Sequence, residues 1–289
     1  MGIIIAVLLF SFIIIFHELG HFLLAKKKGI RVDEFSLGLG PTLLGKQIGE
    51  TKFSLKLLPF GGACMMGEDD ADDLSEGSFN SKSVWARMSV VAAGPIFNLI
   101  LACVFCFILI MITGYRSPEI TGVLDGYSAQ EEGLQAGDVI TEINGRNVHI
   151  WDDVSLYTMT HADEAPFKVE YERDGKKYTA KLEPRQLEGD AAPLLGVTSG
   201  DIVKPGIFKS VEYSIYKVKY WMNYTVDSLR MLVTGQAGLK DLSGPVGIVN
   251  AVDDMYQEAA PAGFGVVMLS MMNFGVLLTT NLGILNLLP

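Results

Sequence analysis

Three long apolar runs dominate the pattern of hydrophobic and polar positions along the chain. They cover residues 1–25, 89–113 and 263–289, and each is long enough to cross a membrane core, which needs about 20 apolar residues in a helix. The first run is not typical of a cleaved signal peptide, because basic residues follow it and none precedes it. We therefore predict a multi-pass α-helical membrane protein.

The segments that join these runs have patterns of their own. Within residues 26–88, the stretch 29–62 alternates apolar and polar positions and contains repeated glycines, which predicts a β-rich segment with short strands and tight turns. Residues 187–262 are predicted to be a membrane-associated linker. Within them, apolar residues recur at helical spacing over 206–235. An amphipathic helix that lies against the membrane or against the spanning helices fits this stretch.

Residues 114–186 carry the signals of a small α+β domain. The stretch 139–143 alternates like a strand and leads directly into Asn144-Gly145, a hairpin-turn signal. A short capped helix is predicted from Trp151, and a further hairpin follows it. This segment is therefore expected to fold separately from the spanning helices.

The placement of lysine and arginine predicts the orientation of the spans. Basic residues follow the first run and precede the second, so all of them belong to one segment: Lys26, Lys27, Lys28, Arg31, Lys82 and Arg87. Because such residues accumulate on the cytoplasmic side, residues 26–88 are expected inside, and the N-terminus and the 114–186 domain outside. The net charge of −10 argues against a nucleic-acid partner.

The first run ends in an H-E-x-x-H motif formed by His17, Glu18 and His21. Positions i and i+4 share one face of a helix, so both histidines can bind one zinc ion. Zinc lowers the pKa of a bound water to about 7, and Glu18 would accept the proton of that water and pass it to the leaving amine. Ordinary polar residues at a helix end are the alternative. Ionisable groups this dense in a spanning helix are costly, however, and indicate function.

A catalytic zinc ion normally has three protein ligands, and the third is not visible in the sequence. The second and third runs contain no His, Asp or Glu, and their polar residues include Asn98, Asn273, Asn281 and Asn286. The remaining histidines fall in the predicted outer domain, on the other side of the membrane from the motif: His149 and His161.

Several stretches, in order, resemble the site-2 proteases, which are intramembrane zinc metalloproteases, in their bacterial form with a single PDZ domain. They are FHELGHFLLAKKKGI, LLPFGGACMMGED, SKSVWARMSVVAAGPIFNLILA, the G-L-x-x-G-D-x-I-x-x-I-N-G pattern from Gly133, LSGPVGIV and the final NLLP. The resemblance covers nearly the whole chain. It implies that residues 114–186 form an extracytoplasmic PDZ domain, a fold that captures peptides by strand addition at a sheet edge.

The resemblance also implies regulated intramembrane proteolysis of single-span membrane proteins such as anti-sigma factors and signal-peptide remnants. A site-1-type protease cuts these substrates first, outside the membrane. Residues 53–66 resemble the family's membrane-associated β-hairpin, where Gly61 and Gly62 would let a substrate strand approach closely. Asn286 is similar to a family asparagine that engages the substrate near the scissile bond. Hydrogen bonding between helices is the alternative for Asn286, and also for Asn98.

The family's final motif continues from N-x-x-P into Leu-Asp-Gly, whose Asp is the third zinc ligand. Asn286 and Pro289 match the start of that motif, and the sequence stops there. The third ligand and a fourth span are therefore expected beyond Pro289. If the chain ended at Pro289, we would expect weakened zinc binding and little or no proteolysis.

Two further questions stay open at the level of the sequence. The PDZ domain is expected either to limit access by folded ectodomains or to bind a newly exposed C-terminus. The main alternative to a protease is a non-proteolytic PDZ membrane scaffold with a degenerate metal site, and a Leu-Asp-Gly within about ten residues of Pro289 would argue against it. A transporter is disfavoured, because three spans with a β-rich loop show no inverted repeat.

Overall fold

The computed structural model describes residues 2–67, 74–187, 193–238 and 244–287. It divides into two compact units, Met1–Phe105 with Gly238–Pro289, and Cys106–Ala237. In chain order the helices and strands are α1 (Gly2–Lys27), β1 (Glu34–Ile48), β2 (Thr51–Met65), α2 (Val84–Thr113), β3 (Tyr115–Arg116), β4 (Gly122–Val123), α3 (Ser128–Glu131), β5 (Val139–Ile143), β6 (Arg146–Asn147), α4 (Trp151–Thr160), β7 (Phe167–Arg173), β8 (Lys176–Leu182), β9 (Val197–Thr198), β10 (Ile202–Val203), α5 (Ile207–Val233), α6 (Pro245–Ala259) and α7 (Phe264–Leu285).

Helices α1, α2 and α7 are long and apolar enough to cross a membrane. They agree with the three predicted apolar runs, although α2 begins at Val84 rather than at residue 89. Many of their large apolar side chains are exposed, as lipid-facing residues are, among them Leu8, Val104 and Met268. Helices α1 and α2 approach closely at Gly20, where an added Cβ would lie only 2.5 Å from the carbonyl oxygen of Ala93.

Strands β1 and β2 form the β segment that the sequence predicts between the first two spans. Their pairing is irregular, so that residues 34–37 face two parts of β2 at once, residues 52–55 on one side and residues 62–65 on the other. A buried cluster that includes Ala25 of α1 and Val90 of α2 packs against these strands. The sheet is therefore held against the ends of both helices by apolar contacts.

The second unit is built around the antiparallel sheet β6-β5-β7-β8, with α4 packed on it. Strand β5 matches the predicted alternating stretch 139–143, and α4 begins at the predicted Trp151. The fold of the second unit continues past residue 186, since β9 pairs with β4 and Leu195 belongs to the same core. Strands β3 and β10 pair as a separate two-stranded antiparallel sheet.

Helix α5 is the amphipathic helix predicted over 206–235, and its polar face packs within the second unit. Arg146 donates to both carboxylate oxygens of Asp227 at 2.6 and 2.9 Å, and Asp227 is only 2% exposed. Lys217 forms an ion pair with Asp152 of α4. The other face carries exposed apolar side chains, namely Phe208, Val211, Ile215, Met222, Val226 and Val233.

Candidate metal centre

The H-E-x-x-H motif lies in an unbroken stretch of α1, and the structure places its histidines on one face of the helix. His17 and His21 direct their Nε2 atoms towards each other at a separation of 3.2 Å. The two rings are nearly perpendicular, with centroids 4.8 Å apart. Two convergent Nε2 atoms are suited to binding one metal ion between them.

Helix α2 contacts the other ring nitrogen of each histidine. His21 Nδ1 lies 2.8 Å from the carbonyl oxygen of Val90. A carbonyl only accepts, so this Nδ1 carries the proton and His21 Nε2 keeps its lone pair for a metal. His17 Nδ1 lies 3.0 Å from the side-chain amide of Asn98, which is fully buried.

Gly94 of α2 borders the two Nε2 atoms and leaves space beside them. A Cβ at this position would lie 2.3 Å from His21 Nε2 and 2.6 Å from His17 Nε2, so any side chain would fill the place of a ligand held by the histidines. The donor atoms and this space together fit a zinc ion bound through two imidazoles.

The rest of a zinc ligand set is not found among the residues that the structure describes. Within them, no group of three or more His, Cys, Asp or Glu side chains is placed to hold a metal ion. His149 and His161 lie in the second unit, where His149 stacks on Tyr216 and His161 contacts the Thr160 hydroxyl at 2.8 Å. The described residues therefore offer two candidate ligands, His17 and His21, where a catalytic zinc ion usually has three.

Glu18, next to His17 in the motif, lies beside the edge of the β segment. A Cβ added at Gly62 would lie 3.3 Å from Glu18 Cγ and 3.0 Å from the carbonyl oxygen of Ser36. For a Cβ at Gly61, by contrast, the three nearest atoms all belong to the side chain of Leu39. Of the two predicted substrate-binding glycines, Gly62 is thus the one that the structure brings next to the motif.

Helix α7 packs along the part of α2 that borders the histidines. The Thr279 hydroxyl donates to the backbone carbonyl of Asn98 at 3.1 Å, and a Cβ at Gly283 would lie 3.2 Å from the carbonyl oxygen of Pro95. Asn286 directly follows α7 and is exposed. No contact between Asn286 and the histidines is present among the described residues.

Val90, Gly94 and Asn98 are the site residues whose roles the sequence did not reveal. They are spaced by four along α2, as the histidines are along α1, and so they share one helix face. The signal that could have identified this face is the spacing of four, in which the small Gly94 lies between Val90 and Asn98, each able to contact a histidine.

The second unit contains a groove of about 690 Å³ along one side of α4. One wall is formed by α4 residues such as Val154, Thr158 and Met159, and the other by residues near β9, including Leu194 and Leu195. Met159 is 62% exposed, so the groove presents apolar surface to its surroundings.

One protein family matches almost the entire chain. The sequence model of peptidase family M50 covers residues 5–289. The chain belongs to peptidase family M50. Membership confirms the resemblance to the site-2 proteases and, with the three apolar helices, makes this M50 member a membrane metalloprotease.

Relatives of this M50 chain have corresponding names. A protein of Clostridium acetobutylicum that is named as a zinc metalloprotease is 37% identical, over 100% of this chain and 82% of its own. The regulator of sigma-W protease RasP of Bacillus subtilis is 29% identical, over 98% of this chain and 85% of its own. These names agree with zinc as the metal.

Among solved structures, the PDZ domain of an SdrC-like protein from Listeria monocytogenes matches 29% of this chain and 88% of its own, at 24% identity and a TM-score of 0.24.

Proposed function

We propose that this M50 metalloprotease is an intramembrane zinc endopeptidase that cleaves single-span membrane proteins. The observation that carries the proposal is the convergence of His17 and His21 Nε2 atoms, 3.2 Å apart, with Glu18 beside them on a helix of spanning length. Such a site acts on peptide bonds at or within the bilayer, because the residues that form it are part of the span itself.

The residues of the motif divide the chemistry between them. His17 and His21 would hold the zinc ion, and Glu18 would accept a proton from the attacking water and return it to the nitrogen of the leaving amine. When bound, zinc would act as a Lewis acid that makes water a nucleophile near neutral pH. Gly94 keeps the space beside the histidines free of side-chain atoms.

The edge of the β segment is proposed to bind the substrate as an added strand. Residues 62–65 pair with residues 34–37, and Gly62 lies against Glu18. A substrate segment that paired along residues 62–65 would have its backbone beside the proton acceptor. Gly61 and Gly62 are proposed to let the substrate backbone come close to this edge. The side-chain amide of Asn286 is proposed to contact the substrate as well.

The second unit is proposed to lie outside the cytoplasm and to act as a PDZ domain. The apolar groove beside α4 favours a receptor role over a purely steric filter, because a filter needs no exposed apolar groove. Its ligand would be the C-terminus that an upstream, site-1-type protease exposes. By analogy with the name of the Bacillus subtilis relative, anti-sigma factors are candidate substrates, and signal-peptide remnants are a second class.

The start of α5 is proposed to lie at the membrane surface, close to the end of α2. The Ser210 hydroxyl lies 3.1 Å from the sulfur of Met111 in α2, and the rings of Tyr115 and Tyr213 stack with centroids 3.7 Å apart. The first turns of α5 are thereby fixed beside the last turn of a spanning helix. Exposed apolar residues there, such as Phe208 at 91% exposure, would enter the lipid headgroup region.

The decisive experiment compares wild type with Glu18→Gln, in the full-length protein, for cleavage of a model single-span substrate in proteoliposomes. We expect cleavage to fall by at least about 100-fold, because a positioned general base contributes that much or more, while bound zinc is retained. Glu76→Gln, which changes an exposed glutamate, is the matched control and should cleave as wild type does.

Equal cleavage by wild type and Glu18→Gln would contradict this mechanism. A protein that neither binds zinc nor cleaves in any variant would instead favour the membrane scaffold with a degenerate metal site.

A further inference from the structure

Asn98 is a fully buried amide inside a membrane-spanning helix, a location where a polar side chain is costly. Its Nδ2 atom is placed 3.0 Å from His17 Nδ1, and its Oδ1 atom has no hydrogen-bond partner. A buried amide oxygen without a partner is rare and calls for an explanation.

The orientation of this amide decides which nitrogen of His17 carries the proton. If Asn98 donated to Nδ1, then Nδ1 would be the acceptor and the proton of the neutral ring would lie on Nε2. That proton would point at His21 Nε2, 3.2 Å away, and would occupy the lone pair that a metal needs.

Exchanging the oxygen and nitrogen of the amide removes this conflict. The two ends of an asparagine amide have nearly the same shape, so its orientation follows from the hydrogen bonds it makes. With Oδ1 beside His17, the Nδ1–H group donates to the oxygen and Nε2 is left with its lone pair. His17 then matches His21, whose Nδ1 donates to the Val90 carbonyl.

We propose that Asn98 is a positioning residue for the metal centre, whose side-chain oxygen accepts a hydrogen bond from His17 Nδ1–H and so directs Nε2 to the metal. The proposal rests on the proposed zinc site. Ligating histidines commonly donate their other ring nitrogen to an oxygen in this way, which fixes the tautomer and the ring orientation.

The surroundings of Asn98 hold it in place for this role. Its backbone carbonyl accepts from the hydroxyl of Thr279, which is also fully buried, so α7 fixes this turn of α2. The competing explanation is that Asn98 only joins two helices by a hydrogen bond. In that case its loss would weaken helix packing without a specific effect on zinc.

The test measures zinc affinity by chelator competition in the full-length protein, with the melting temperature of the metal-free protein recorded alongside. Asn98→Leu removes the acceptor, and we expect zinc affinity to fall about 10- to 100-fold. Asn98→Asp keeps an acceptor and, when ionised, has no proton to donate, so it should retain affinity close to that of wild type. Asn273→Leu changes an exposed asparagine of α7 and serves as the control with unchanged affinity.

The Asn98→Asp variant distinguishes between the two orientations of the Asn98 amide. Loss of zinc affinity in Asn98→Asp as large as in Asn98→Leu would show that Asn98 donates, and would overturn the proposal. Unchanged affinity in Asn98→Leu would overturn it as well. Failure of the zinc site itself gives a different result, because wild type would then bind no more zinc than His17→Ala.

Discussion

At the scale of single residues, Gly94 leaves space beside the two histidines of the proposed metal centre because it has no Cβ. A Cβ at Gly94 would lie 2.3 Å from His21 Nε2, well inside van der Waals contact, and it would be held there by the backbone of α2. We predict that Gly94→Ala lowers zinc affinity by at least about 10-fold, since even the loss of a residue that only orients a ligand typically costs about 10- to 100-fold. Chelator competition on the full-length protein measures this directly.

The same substitution can distinguish an effect on zinc binding from an effect on the stability of the fold. Alanine in place of a mid-helix glycine stabilises a helix by about 0.5–1 kcal/mol when nothing obstructs it. Gly265→Ala, at the second residue of α7, adds a Cβ that meets nothing within 4 Å, so it is an unobstructed control and should bind zinc as wild type does. Wild-type zinc affinity in Gly94→Ala would show that the ion does not occupy the space between the histidines.

The residues of the site differ in how far the sequence predicts them. His17, Glu18 and His21 can be recognised because a fixed spacing carries the chemistry. The roles of Gly94 and Asn98 cannot, because α2 is apolar nearly all round and its pattern does not show which face meets α1. Only the packed structure brings Asn98 to within hydrogen-bond distance of His17.

At the scale of elements, the spans and the strands of the second unit follow from local patterns. Strand β5 and helix α4 begin at the predicted residues, since alternation and turn signals act within a few positions. The β segment between the spans is different. Residues 34–37 pair with two separate parts of β2, and this double pairing depends on contacts between residues far apart in sequence.

Helix α5 is attached to its unit in part by the buried ion pair of Asp227 with Arg146, which gives a prediction for this element. Asp227→Ala would leave the Arg146 guanidinium, only 27% exposed, without its carboxylate. Breaking a buried pair from one side costs about 3–5 kcal/mol, and the partial exposure of Arg146 favours the lower end. We therefore expect faster hydrogen exchange along α5 and a lower melting temperature.

The control for this prediction lies on the same helix. Lys217 pairs with Asp152 at 3.1 Å, and both side chains are more exposed than Asp227. Lys217→Ala should cost less than about 1 kcal/mol, as pairs near the surface do. If both variants changed hydrogen exchange along α5 equally, the buried pair would not be the main attachment of this helix.

At the scale of the whole molecule, the proposed hydrolytic site lies in the spans, and we propose that the second unit meets the membrane through α5. Three apolar helices place the H-E-x-x-H motif in a span, while the end of α2 continues into the second unit. The contact of Ser210 with Met111 ties the first turns of α5 to that point. We therefore propose that the exposed apolar face of α5 contacts the bilayer.

This membrane contact can be tested by placing a tryptophan at either end of α5. Phe208→Trp should add fluorescence that is blue-shifted and quenched by lipids brominated near the headgroup. Phe208 is 91% exposed and lies in the first turn of α5, where Ser210 contacts Met111 of α2. Val233→Trp, about 38 Å further along the helix, reports whether the contact extends over the whole apolar face. Wild type supplies the background of the three native tryptophans. Absence of added quenching at position 208 would show that α5 begins away from the lipid, and its apolar residues would then require a protein partner.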